Sequence, residues 1–244
     1  MFADNWITFS RVDQLLVTGG GYLHGHGSSA WPHNDCAANP RCKMLLFTMR
    51  FEFVTNSRIN YIQSIDSRSG HFDLYGCTHD VEIWNVQCGP GHGFSIGSLG
   101  KYNKEEAVRG ITVRDSSLRE TQNGVRIKTW ASATPNLASD IIFDKIYMDN
   151  VDNTILIDQQ YCPHCNSEMQ QSNVQIRNVT FSEVRGMSSS QLAVKLHCSK
   201  NVPCQDIKLI NINLAYHGPD GPVASSCINV KGKLYGIQLP SGCL

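Results

Sequence analysis

One block recurs along this 244-residue chain, and its period constrains the fold more than any other feature. The block reads apolar-x-apolar-x-polar-apolar-x-apolar. It runs Val81-Glu-Ile83-Trp-Asn85-Val86-Gln-Cys88, then Ile111-Thr-Val113-Arg-Asp115-Ser-Ser-Leu118, then Ile141-Ile-Phe143-Asp-Lys145-Ile146-Tyr-Met148. Two more copies are Val174-Gln-Ile176-Arg-Asn178-Val179-Thr-Phe181 and Ile207-Lys-Leu209-Ile-Asn211-Ile212-Asn-Leu214, and a weaker one begins at Ile59. The starts at 59, 81, 111, 141, 174 and 207 are separated by 22, 30, 30, 33 and 33 residues. Apolar residues alternate, skip a step and alternate again, which describes two short strands with a bend between them and not a helix. A further short strand follows most copies: Phe94-Ser-Ile96, Val125-Arg-Ile127, Ile155-Leu-Ile157 and Val194-Lys-Leu196. Units this small cannot bury their apolar faces alone, so they stack coil on coil. The expectation is an all-β fold, a single-stranded right-handed parallel β-helix (a solenoid), forming one domain over residues 1–244. A β-sandwich fits less well, because Asn123-Gly124 is the only Asn-Gly hairpin signal.

Composition narrows the function classes. Twenty-one basic and 21 acidic side chains leave no net charge, against the basic excess of a general nucleic-acid binder. No apolar run approaches the roughly 18 residues of a membrane span; Met44-Leu45-Leu46-Phe47 is typical. A soluble monomer without nucleic-acid or membrane partners is expected. Ten cysteines fall partly in close pairs, Cys36 with Cys42, Cys162 with Cys165 and Cys198 with Cys204, and Cys227 and Cys243 lie near the C-terminus. Such spacing suits disulfides of a secreted protein. Cys162-Pro-His-Cys165 also has zinc-ligand spacing but lacks a second pair of similar geometry. Met1–Trp6 shows neither the basic start nor the apolar core of an export signal, so the expectation is that the natural N-terminus lies upstream.

In a solenoid, side chains that alternate with buried ones project onto one outer face, and successive coils sit about 4.8 Å apart. Arg126 and Lys128 flank Ile127 and point outward together. One coil earlier, Cys88-Gly89-Pro90-Gly91-His92-Gly93 leaves bare backbone around a histidine. One coil later Asp158 takes the register of Lys128, with Tyr161 just beyond. Arg and Lys hold carboxylates and Tyr packs on sugar rings, so this face suits an anionic, hydroxyl-rich ligand. The plainer alternative is a turn histidine beside solvated strand cations. The pair His24 and His26 lies in a Gly-rich turn without matching ligands, so a turn is favoured over a metal site. Asn178-Val-Thr180 is the only glycosylation sequon, and its place at a bend inside a ladder argues against a glycan.

These stretches resemble a known family. Cys88 to Tyr102 (CGPGHGFSIGSLGKY) and Asn123 to Trp130 (NGVRIKTW) resemble the plant polygalacturonases of glycoside hydrolase family 28, with the exopolygalacturonase type nearest. The likeness extends to Val17-Thr-Gly-Gly-Gly21, Phe53-Val-Thr-Asn-Ser57, Asp158-Gln-Gln-Tyr-Cys-Pro163 and Gln191-Leu-Ala-Val-Lys195. The resemblance implies a right-handed parallel β-helix, secretion to the cell wall, and hydrolysis of α-1,4 bonds between galacturonic acid units of pectin without cofactor or metal. It implies a site in which His92 stands beside the catalytic carboxylates, Arg126 and Lys128 bind the substrate carboxylate, and Tyr161 lines the sugar subsite.

The family carries four motifs in order, an Asn-Thr-Asp, an Asp-Asp pair, the Gly-His-Gly and the Arg-Ile-Lys. Here the first two, with all three catalytic aspartates, are absent. Ser69 to Cys77 resembles the family segment before them, and Thr78 to Cys88 the coil just ahead of Gly-His-Gly. By that comparison about two central coils are missing, as are the family's N-terminal coils, and Cys88 lacks its usual partner, with Cys77 the nearby substitute. An inverting hydrolase needs two carboxyls across the bond. Of the nearby Asp66, Asp73, Asp80 and Glu82, Asp73 is the one that could face the groove. The expectation is a family member impaired in catalysis, with a non-catalytic oligogalacturonate-binding protein or a truncated gene product as the alternatives.

Overall fold

A computed structural model describes residues 5–36, 39, 41–43, 45–100, 105–131, 134–161 and 171–244. The chain winds as a right-handed parallel β-helix, every strand pairing in parallel with its counterpart one coil on. Three faces run along the axis. The first, called the groove sheet below, stacks the start of Asn5–Asp13, the start of Phe47–Asn60, then Phe72–Tyr75, Phe94–Leu99, Asn123–Trp130, Asn153–Tyr161, Leu192–His197 and Ala224–Ile228. The recurring block builds the other two, bending from one to the next. In Val108–Arg119, residues 109–114 pair with His79–Trp84 and residues 117–118 with Gln87–Gly89.

The bends are made by residues in the left-handed conformation, stacked coil over coil. One corner holds Tyr61, Asn85, Asp115, Lys145, Glu183 and Asn211, all with φ near +50°. The other holds Asn56, Asp80, Asp140, Asn178 and Asp206. Short Asn and Asp side chains tolerate this region because they can hydrogen-bond locally. The polar residue of the repeat is therefore a corner device. Asn178 donates to Asp140 Oδ1 at 2.6 Å, and Asn211 donates to Glu183 Oε1 at 2.6 Å.

Inward side chains fill the bore from Met49 to Leu214. On the groove sheet two neighbouring inner ladders carry aromatic rings, Phe9 on Phe51 and Phe72 on Phe94, each pair with centroids 5.3 Å apart, and Phe51 meets Phe72 between them at 6.3 Å. Each fully buried ring contributes roughly 1.5–3 kcal/mol by leaving water, before packing is counted.

The structure corrects the repeat in two places. Ile141 pairs with Val179, not Val174, and Val179 with Ile207. Ser57, not Ile59, is the counterpart of Val81. Apolar positions 0, 2, 5 and 7 of the block superpose partly on themselves after a shift of five, so the pattern alone accepts the wrong register at Val174. Asn178 thus belongs to the second corner and is exposed, with its amide engaged by Asp140. Disulfides join Cys36 to Cys42, Cys198 to Cys204 and Cys227 to Cys243. Cys162 and Cys165 lie outside the described residues. Cys77 and Cys88 are both free: Cys88 points into the bore and Cys77 sits in the turn after Phe72–Tyr75, so the substitute pairing does not form. No helix among the described residues is long and apolar enough to cross a membrane.

Candidate functional site

The outer positions of the groove sheet form two ladders. One runs Arg50, Asp73, Ser95, Arg126, Leu156, Lys195, and the other includes Lys128, Asp158 and His197. Arg126 and Lys128 stand on neighbouring ladders, two residues or roughly 7 Å apart along one strand. Both face the groove, yet they are only 5% and 6% exposed. The alternative of solvated strand cations does not hold.

Their partners explain their poise. Ser95 Oγ accepts from Arg126 Nε and Nη2 at 3.0 and 2.8 Å. The Lys128 ammonium lies over the Tyr161 ring, 4.4 Å from its centroid, and Trp130 meets that ring edge-on at 5.2 Å. Among the described residues no carboxylate comes within ion-pair distance of either cation. Burial pushes the Lys128 ammonium down to about 7, with Arg126 repelling it and Asp73 and Asp158 partly restoring it. Burial likewise lowers Arg126 to about 10. Two desolvated cations without a paired anion are costly to keep in a fold. They make an anion cradle.

His92 reaches the groove edge on a turn that requires glycine. Gly93 has φ +92°, and a Cβ there would collide with the Asn123 carbonyl. A Cβ on Gly91 would sit 2.8 Å from His71 Nε2. The His92 backbone is clamped between coils: its N–H donates to the Ser69 carbonyl at 3.0 Å and its carbonyl accepts from Asn123 Nδ2 at 2.9 Å. Burial, then Arg126 and Lys128, push the His92 imidazole down to about 3, so it is neutral across the physiological range. A cavity of about 500 Å³ joins His92 to Lys128 and Tyr161, with Trp31 and Gln122 on its walls. A larger hollow of about 740 Å³ lies along the corner of Asn85, Asp115 and Lys145, away from this cluster.

Of the four carboxylates weighed from sequence, Asp73 alone faces the groove sheet. Asp66 is spent on a turn, accepting from the Ser28 N–H and hydroxyl at 2.8 Å each. Asp80 and Glu82 line a hollow on another face. Asp73 is 4% exposed, its Oδ1 has no hydrogen-bond partner among the described residues, and its Oδ2 lies 3.9 Å from Arg50 Nε. Burial raises its carboxyl to about 6 against the pull of Arg50, Lys128 and Arg126, with Glu52 adding to the rise. Asp158 is three coils on and two residues along, so its Cα is about 16 Å from that of Asp73. Glu52 is nearer, about 8 Å by the same geometry.

Two residues before Phe94, which stacks on Phe72 and Met49, His92 takes the register of Gly70 and Phe47 on the two preceding coils, and the His92 N–H bond to Ser69 O and the Thr48 N–H bond to Gly70 O continue the ladder there. The Phe47 ring so closely covers Gly70 that a Cβ there would lie 2.5 Å from it. No carboxylate stands in that stack. His71, buried beneath Gly91 and hydrogen-bonded to Ser64 at 2.7 Å, is lowered by burial to about 4. Sequence reading missed Arg50, Ser95 and His71. Counting outward positions from Arg126 back along the ladder would have found the first two.

Comparison with known proteins finds one family and a set of relatives similar to the chain over nearly its whole length. The family described as "Glycosyl hydrolases family 28" matches residues 1–85 and again 78–237. An exopolygalacturonase of Platanus acerifolia is 35% identical over 289 residues, covering 98% of this chain and 77% of the relative. An Arabidopsis thaliana exopolygalacturonase, clone GBGA483, is 38% identical over 290 residues, covering 98% and 65%. Among solved structures, an endo-xylogalacturonan hydrolase from Aspergillus tubingensis shares the fold with TM-score 0.62 at 16% identity, over 94% of this chain and 79% of that one.

Proposed function

The chain belongs to glycosyl hydrolases family 28, and on that premise we propose that its groove binds the galacturonate backbone of pectin while turning it over poorly or not at all. Arg126 and Lys128 hold the sugar carboxylate, Tyr161 packs against the ring, and His92 closes the edge of the subsite as a neutral imidazole. The observation that carries the binding is the pair of buried cations lacking an ion-pair partner among the described residues. A carboxylated sugar supplies what they lack. The three disulfides among the described residues suit secretion into the wall, where we read the protein as a monomer.

The impairment rests on carboxylate geometry. Inversion needs an acid and a base roughly 6.5–9.5 Å apart across the scissile bond. Beneath His92 stand Gly70 and Phe47, neither of which can serve. The alignments support an excision of coils at this point. The family match breaks and overlaps at residues 78–85. The relatives also align over 289 and 290 residues, although 98% of this chain is only about 239. Among the described residues Asp73 with Glu52 is the pair near the cradle at a workable separation, but it lies several residues along the strand from His92.

Calorimetry with galacturonate oligomers, run beside a reducing-sugar assay on polygalacturonan, tests this. Binding with little or no sugar release is expected. Rapid depolymerisation that vanishes in Asp73→Asn would overturn the impairment, and absence of binding would overturn the whole reading.

A further inference from the structure

The His24-Gly25-His26 turn has no part in the cradle, yet it stacks on the same line of turns as His92. His24 pairs with Ile65, which pairs with Gly89, the start of the His92 turn. Gly25 N–H donates to Ile65 O at 2.9 Å and Gly27 N–H to Asp66 O at 2.7 Å, so the turns are bonded coil to coil. Two steps separate them, about 10 Å along the axis. Between them lies Arg68, whose Nε donates to the Gly25 carbonyl at 3.0 Å. That bond fixes the guanidinium across the step and leaves its Nη groups without a hydrogen-bond partner among the described residues.

A cavity of about 320 Å³ opens at this point, walled by Trp6, His24, His26, Phe47, Thr48 and Arg68. Phe47 and Arg68 also wall the cavity of His92, Lys128 and Tyr161, so the two hollows are neighbours along one edge of the groove. The donors here suit an anion. His24 Nδ1 accepts the His26 backbone N–H at 3.2 Å, which puts the ring proton of the neutral form on Nε2 as a donor. The Trp6 indole is 51% exposed, an apolar plate beside those donors. Cation, imidazole N–H and indole together are the groups that recognise a carboxylated pyranose.

We propose that this cavity is a second uronate subsite, in which Arg68 and His24 hold the carboxylate of a sugar residue and Trp6 packs on its ring. It rests on the reading of the groove as a galacturonate cradle, and it belongs to the same oligosaccharide. Trp6 and Lys128 stand four coils apart and four residues along the strand, roughly 23 Å, so a disaccharide seated in the cradle does not reach it and a longer oligomer does.

The test is calorimetry of the full chain with digalacturonate and hexagalacturonate, on wild type, Trp6→Ala and His24→Gln. Wild type binds the hexamer about ten-fold or more tightly than the dimer, as one added charge-assisted contact produces. Each variant loses most of that advantage and keeps the dimer affinity. A hexamer advantage that survives both substitutions, equal wild-type affinity for dimer and hexamer, or a parallel loss of dimer binding in the variants each overturns the subsite alone. A wild type that binds neither sugar removes the cradle and the subsite together.

Discussion

Asp73→Asn probes the cluster most directly, because its effect on stability has a sign and a pH window. The Asp73 carboxyl is held up to about 6 against an ordinary 3.8, by burial first. A raised carboxyl means that the folded protein keeps a proton which the unfolded chain releases between those values. Stability from this group is therefore intact below about pH 4 and lost as pH rises through 6. At about 1.4 kcal/mol per pH unit the gap converts to roughly 3 kcal/mol, an upper figure because Lys128 and Arg126 are coupled to the same carboxylate. Asn mimics the protonated form and carries no such dependence. The stability difference, variant minus wild type, should rise by up to about 3 kcal/mol between pH 4 and pH 7, or about 6–12 °C in Tm for a chain of this size. His71 and His92, lowered by burial, lose stability in the opposite direction as pH falls, but they do so in both proteins and largely cancel in the difference. Urea unfolding followed by circular dichroism at pH 4, 5.5 and 7 measures it. A difference that stays flat with pH, or falls as pH rises, would show that Asp73 is ionised and satisfied, and the account of a buried, half-paired carboxyl would be wrong.

Other outcomes follow from the same geometry. Arg126→Ala should weaken trigalacturonate binding about ten- to hundred-fold, the scale of hydrogen bonds to a charged group, as read by calorimetry. Because Lys128 is pushed down to about 7, the cradle holds both charges below that pH and loses one above it. Sugar carboxylates are already ionised throughout, so affinity should fall several-fold from pH 6 to pH 8, and Lys128→Arg, which stays charged, should flatten that profile. Phe72→Ala, in the middle of the aromatic stack, should cost about 3–5 kcal/mol in urea unfolding.

The solenoid was legible because a strand's period of two is local. Val125-Arg-Ile127 and Ile155-Leu-Ile157 declare which side chains enter the bore without reference to any partner, and the structure pairs them directly. Register between coils is not local. Val174 obeyed the pattern as well as Val179 does, and only the backbone ladder decided between them. The same division runs through the site. That Arg126 and Lys128 face outward follows from alternation around Ile127. That they are buried depends on Ser95, Tyr161 and the neighbouring turns, which are far apart in the chain.

What the amino-acid order determined by itself is the repeating strand pattern, the glycine-bounded histidine and the outward pair of cations, each set by a few consecutive residues. The tertiary structure alone decided that Asp73 lies buried and half-paired on the groove floor, that Gly70 and Phe47 lie beneath His92, and that the His24 turn lines the same edge. Those are facts of stacking, and stacking brings together residues that no local periodicity relates.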